Sequence, residues 1–248
     1  MPAVFVHGNP ENAAIWDELI PYLGRTDVIT LSPPGFGAHV PDGFGATADE
    51  YRDWLADALD RIDGPIDLVG HDWGGIHVMR IAMERPELVR SWATDCAGTF
   101  DPEYVWHDMA QVWQKPGAGE QAVAQILATP VEARAKRFES QGMSKPVAAK
   151  VAAAFDETMG RCILALYRSA KQPMLADWGK RLDGAAAKSG LVVLSTEDHY
   201  VGGEAMRRRS AARCGASVAV LQGLGHWWMS QDPKLSAAVL AEFWKGLS

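Results

Sequence analysis

The stretch "LVGHDWGG", Leu68 to Gly75, decides how the rest of the chain is read. Before and into it, "PIDLVG" is a short apolar run of strand type. After it, "IHVMRIAMERP" carries apolar residues at helical spacing. Gly70, Gly74 and Gly75 are small enough for a sharp turn that packs the helix close to its strand. Such an elbow presents the side chain at its tip, here Asp72, to a ligand. The pattern G-x-D-x-G is weak alone and gains weight only from this strand–helix setting.

Working outward, similar runs recur at "AVFV" (3–6), "DVITL" (27–31), "VRSWAT" (89–94), "LVVLST" (191–196) and "SVAVL" (217–221). They are brief, rich in Val, Ile and Leu, and bounded by turn residues, as buried strands are. Helical patterns lie between them: "NAAIWDELIPYL", "TADEYRDWLADALDRI", "EAMRRRSAARC" and "DPKLSAAVLAEFWKGL". Thr47 and Glu50 form a capping-box candidate for the second of these. Strand–helix alternation predicts an α/β fold with a parallel sheet covered on both faces. From 100 to 189 the alternation stops and only helical patterns remain. We read residues 1–99 and 190–248 as the core and 100–189 as an inserted helical cap.

Composition excludes several classes. The net charge is −7, and the run Arg207-Arg208-Arg209 fits a solvated helix face, so a nucleic-acid partner is not expected. No apolar run is long enough to span a bilayer, and "MPAVFVHG" lacks the charged n-region of a signal peptide. Three cysteines, none in a CxxC pair, read as apolar thiols in a reducing cytoplasm. The seven histidines lack metal-ligand spacing, so neither metal nor cofactor is expected. A small-molecule ligand remains.

Two partners for Asp72 follow in order. Asp198 stands just after a strand in "LVVLSTEDHYVGG", and His226 follows the last strand in "VLQGLGHWWMSQDP". Nucleophile, acid, then histidine is a known catalytic order. Asp95, in "SWATDCAG", also follows a strand and is the alternative acid. Upstream, "VHGNP" (Val6 to Pro10) forms a turn whose Asn9 N–H can converge with that of Trp73 as an oxyanion hole. Among the other histidines, His71 is read as shaping the turn and His77 as structural. His39 and His107 are read as surface residues or lid contacts.

Together, "HGNP", "GHDWGG", Asp198 and "GLGHWW" resemble the α/β-hydrolase superfamily over essentially the whole chain. Within it they resemble the Asp-nucleophile branch of epoxide hydrolases and haloalkane dehalogenases. His7 comes almost at once, so the resemblance implies a six-stranded sheet without the usual first two strands. "DVITL" then becomes a sheet edge, and an unpaired edge suggests a homodimer.

Aspartate suits displacement at a saturated carbon, where it forms an alkyl ester with the enzyme. Water activated by His226, itself oriented by Asp198, then attacks the carbonyl of that ester. The resemblance implies either an epoxide or a carbon–halogen bond as the target. Asn9 and Trp73 match the halide-binding pair of dehalogenases. "LALYRSA" and "WQKPGAGE" are similar to epoxide-hydrolase caps, with Tyr167 as the proton donor. The second cap tyrosine is missing; Met109 stands at the nearest matching position, with Tyr104 and His107 as substitutes. We therefore expect an epoxide hydrolase, with haloalkane dehalogenase as the alternative. A dehalogenase for small haloacids, a carbon-bond hydrolase and a catalytically inactive binding protein are lesser readings. Ten tryptophans predict an aromatic cleft for small lipophilic substrates, walled by Trp73, Trp106, Met109, Trp113 and Trp227.

Overall fold

Six apolar runs become six strands in a computed structural model, which describes residues 1–247. They are β1 (Ala3–Val6), β2 (Val28–Leu31), β3 (Ile66–Gly70), β4 (Val89–Thr94), β5 (Ser189–Ser195) and β6 (Ser217–Leu221). All pair in parallel, in the order β2-β1-β3-β4-β5-β6. β2 lies at an edge, as the sequence implies. β1 and β3 are buried along their whole length, which explains their unbroken apolar character. Alternate residues feed two cores. Val4, Val6, Leu68 and Trp92 face one side, and Phe5, Val69, Ala93 and Val193 face the other.

The chain leaves β1 toward β2 on one side and returns to β3 on the other. The ends of β1 and β3 therefore flank a topological switch point, where open parallel sheets bind ligands. Val6 pairs in register with Gly70, so "HGNP" and the Asp72 elbow emerge side by side.

Helix α1 (Ala48–Leu59) starts with the predicted capping box: Glu50 N donates to Thr47 Oγ1, and Thr47 N donates back to Glu50 Oε2. Helix α2 (Trp73–Glu84) is buried along most of its length behind the elbow. Residues 12–23 differ from expectation. They form two short 3₁₀ turns, Ala13–Trp16 and Ile20–Tyr22, rather than one α-helix. Pro21 has no N–H to donate and its ring clashes with the preceding turn, which stops a continuous helix.

Between β4 and β5 the described residues contain helices and no strand: α3 (Asp108–Trp113), α4 (Ala118–Ala128), α5 (Val131–Ser140), α6 (Lys145–Ala154), α7 (Glu157–Ser169) and α8 (Met174–Gly179). The end of this segment packs on the sheet side. The Arg80 guanidinium of α2 lies 4.2 Å over Trp178, and Trp92 Nε1 of β4 donates to Ala185 O at 3.0 Å. Helices α9 (Glu204–Arg213), α10 (Trp228–Gln231) and α11 (Pro233–Lys245) complete the fold. No helix among the described residues is long and apolar enough to cross a membrane.

Candidate active site

Asp72 sits at φ 51°, ψ −126°, a conformation that costs energy for a residue with a Cβ. Tight packing holds it there. A Cβ on Gly74 would fall 2.3 Å from Val6 O, and one on Gly8 would fall 2.2 Å from Asp72 Oδ1. These glycines let the elbow press against the turn after β1. That turn then donates Asn9 N–H to Asp72 Oδ1 at 3.0 Å. Trp73, the first residue of α2, has no helical acceptor for its own N–H. Burial pushes the Asp72 pKa up to about 6, against the opposing attraction of His226.

His226 connects Asp72 to the predicted acid. Its Nδ1 lies 2.9 Å from Asp198 Oδ2, and its Nε2 lies 3.8 Å from Asp72 Oδ2. Burial opposes the charged imidazole, but Asp198 outweighs it and raises its pKa. Asp198 is also desolvated, yet His226 holds it below the usual carboxylate range. The loop carrying Asp198 is braced from below. Arg207 donates to Ser195 O at 2.8 Å and to Asp198 O at 3.4 Å. This corrects the reading of the triple-arginine run: Arg207 is buried, while Arg208 and Arg209 are exposed and pair with Glu204 and Asp101.

A second charged cluster lies under the elbow, and sequence reasoning missed its extent. His71 is fully buried, with Nδ1 2.5 Å from Asp95 Oδ2 and Nε2 3.1 Å from Glu11 Oε1. Burial disfavours the imidazolium, but the two carboxylates prevail and raise the His71 pKa well above its ordinary value. Trp227 Nε1 donates to Glu11, and Trp228 Nε1 donates to Asp95 at 2.7 Å. Asp95 Oδ1 also accepts the Asp72 N–H at 3.1 Å. Asp95 thus serves the elbow rather than His226. Only "HD" and "WW" hinted at this cluster, and Glu11 carried no signal of its own. Glu11, His71 and His226 bring ligand atoms within 4.8 Å of one another, closer than the histidine spacing suggested. With both nitrogens of His71 on carboxylates and its ring favouring the charged form, it has no lone pair to give a metal.

Tyr167 projects from α7 into a box of indoles. Its ring centre lies 5.4 Å from Trp73, 5.1 Å from Trp106 and 4.9 Å from Trp113. Burial, reinforced by the charge on Asp72, raises its pKa well above the usual phenol value. The two cap motifs meet here, because Arg168 pairs with Glu120 at 2.8 Å and ties "LALYRSA" to "WQKPGAGE".

The alpha/beta hydrolase family pattern matches residues 3–239. The chain belongs to this family. The chain is 30% identical over 94 residues to the (E)-2-((N-methylformamido)methylene)succinate hydrolase of Acinetobacter baylyi, covering 37% of this chain and 36% of the relative. It is 27% identical over 119 residues to a haloalkane dehalogenase of Psychrobacter cryohalolentis, covering 46% of this chain and 38% of the relative. The chain thus spans little more than a third of these curated relatives. Epoxide hydrolase A of Mycobacterium thermoresistibile has the same fold, with a TM-score of 0.76 at 19% identity over 100% of this chain and 92% of that one.

A cavity of about 180 Å³ opens on Asp72, Asn9, Tyr167 and His226. Met109, Trp113 and Trp227 line it as expected. Trp73 and Trp106 do not: they stack on each other at 5.5 Å behind Tyr167, and Trp106 Nε1 is spent on Ala170 O. His107 is the lid contact of the two readings: it caps α3 and lies in the wall, and burial lowers its pKa to about 4. Tyr104 donates to Tyr200 O instead of facing the cavity, and Tyr200 lines it. His77 is buried against Tyr51, as a structural residue would be, and His39 is exposed.

Proposed function

We propose that the protein is an Asp-nucleophile hydrolase acting on small lipophilic epoxides. An Asp72 oxygen attacks a ring carbon, the carbon–oxygen bond breaks, and Tyr167 gives its proton to the departing oxygen. The product is an alkyl ester on Asp72. His226 Nε2 then takes a proton from water, and the hydroxide adds to Asp72 Cγ. Asn9 N–H and Trp73 N–H stabilise the resulting oxyanion; on collapse His226 returns its proton to the departing alkoxide, which leaves as the diol, and the proton remaining on the Asp72 carboxyl restores Tyr167. Asp198 orients His226 and supports its charge. No metal or cofactor takes part in these steps.

The observation that carries this reading is the position of Tyr167. Its ring lines the cavity shared with Asp72, and burial keeps the phenol protonated. A phenol so held stabilises negative charge that develops on an oxygen during ring opening. A haloalkane dehalogenase is the second reading. Asn9 lines the cavity and its Nδ2 is buried without a hydrogen-bond partner, an N–H donor that suits a halide. Parallel turnover of terminal epoxides and matched 1-haloalkanes decides between them: diol release supports the first, halide release without diol the second.

A further inference from the structure

The cavity is not uniformly apolar. Beyond Ile126 and Phe155, its wall includes Arg134 and Arg137, both from α5. Arg137 is exposed, which marks the mouth, with half-buried Arg134 three residues before it on the same helix, while the Asp72 side chain is 14% exposed. Most other arginines, though not Arg61, Arg161 or Arg207, pair with carboxylates, as Arg52, Arg90, Arg168 and Arg209 do. Among the described residues no carboxylate lies within ion-pair distance of Arg134 or Arg137. Arg134 stacks 5.7 Å from the Phe155 ring and donates Nη1 to Phe155 O at 3.1 Å. Its Nε is buried and has no partner.

Two guanidinium groups without a carboxylate partner at the wall of a cavity also lined by Ile126 and Phe155 are an arrangement with a chemical meaning. A guanidinium is a planar fork of donors matched to a carboxylate. Burying such a donor without a partner costs free energy that a ligand anion would recover. The opposite polarity holds at the other end, where a second carboxylate beside Asp72 would meet like charge. We infer that the substrate is amphiphilic: an anionic carboxylate is held at the mouth by Arg134 and Arg137, and the apolar chain reaches inward with the reacting group at Asp72. This deepens the epoxide reading and rests on it for the identity of the reacting group. A cavity of about 150 Å³ takes up benzene, so a chain of about six to eight carbons suits this one. Carboxylate recognition also offsets the repulsion that a protein of net charge −7 exerts on an anion.

The test compares octanoate with 1-octanol as binding probes, read by tryptophan fluorescence or calorimetry, and 7,8-epoxyoctanoate with 1,2-epoxyoctane as substrates. Wild type should bind octanoate about ten- to a hundredfold more tightly than octanol, the range of one or two charge-assisted hydrogen bonds. The double variant Arg134→Gln/Arg137→Gln should lose that preference while its octanol affinity stays within about twofold. Arg137→Gln alone, at an exposed position, should show part of the loss and guards against a folding defect in the double variant. Equal binding of the two probes by wild type, or a preference that survives the double substitution, overturns the inference. Epoxide turnover is read separately. If octanoate is preferred but neither epoxide is opened, the anion site stands and the epoxide reading falls.

Discussion

His226 Nε2 stands 3.8 Å from Asp72 Oδ2 while its Nδ1 is anchored to Asp198 at 2.9 Å. The first distance is too long for a hydrogen bond and the second is typical of one. A histidine so tethered is oriented by Asp198 and free to act on something other than Asp72. That geometry suits a base for water in the second half of a two-step hydrolysis. Replacing Asp198 by Asn should therefore lower turnover by about 10⁴-fold, the loss expected when a triad histidine is left in the wrong tautomer.

Asp95 occupies the rival position after β4, but its carboxylate is taken by His71, Trp228 and the Asp72 N–H. Asp95→Asn should reduce turnover less than Asp198→Asn and should lower thermal stability more, because it weakens a buried network under the elbow. Steady-state kinetics and melting curves on the two variants check this. The reverse ranking in kinetics would make Asp95 the acid.

The strands and the elbow were legible from the sequence because their causes are local. Short Val-rich runs can be buried only in a covered sheet, and the glycines around Asp72 answer to close approaches that admit no Cβ. The Asp72–His226–Asp198 grouping was legible because each residue follows a strand at the same end of a parallel sheet. Glu11 and Arg207 were not. Glu11 holds His71 and Arg207 holds Ser195, partners far away in the chain, and nothing in "HGNPE" or "MRRRS" distinguishes them from surface charges. The indole box around Tyr167 was also hidden: which tryptophan faces the cavity depends on how α3 and α7 pack, not on spacing.

Tyr167→Phe keeps the ring among its indoles and removes the proton. Epoxide opening should fall by about ten- to a thousandfold, treating the loss as that of a general acid. Haloalkane turnover should change little, since a halide leaves without a proton. Asn9→Ala is the mirror variant. It keeps the backbone N–H to Asp72 but removes the unpartnered Nδ2, so it should spare diol release and weaken any halide release.

The raised pKa of Asp72 is also a statement about stability. Its native value of about 6 lies above the ordinary carboxylate value of 3.8, so the folded state binds that proton more tightly than the unfolded chain. At pH above 6 the ionised group destabilises the fold by about 3 kcal/mol. Asp72→Asn should be more stable than wild type at pH 7.5 by up to that amount. The gap should close as pH falls from about 6 to below 4, where both states of wild type are protonated. Chemical denaturation at several pH values measures it; a variant less stable at pH 7.5 contradicts the assignment.

The two chemical steps should titrate apart. Attack requires ionised Asp72, so alkylation should decline as pH drops below about 6. Ester hydrolysis requires neutral His226, whose pKa is raised by Asp198, so it should decline already at higher pH. Stopped-flow measurement of tryptophan fluorescence, followed by steady-state rates across the same range, separates the two limbs.

A covalent ester on Asp72 would be trapped in His226→Ala and seen by intact-mass spectrometry after mixing with a terminal epoxide. Asp72 can still attack in that variant, but the ester has no base to hydrolyse it. A stable adduct of one substrate mass is expected, mapped by peptide digestion to Asp72 and absent from His226→Ala/Asp72→Ala. An adduct on another residue, or one that persists without Asp72, would contradict the ester on Asp72.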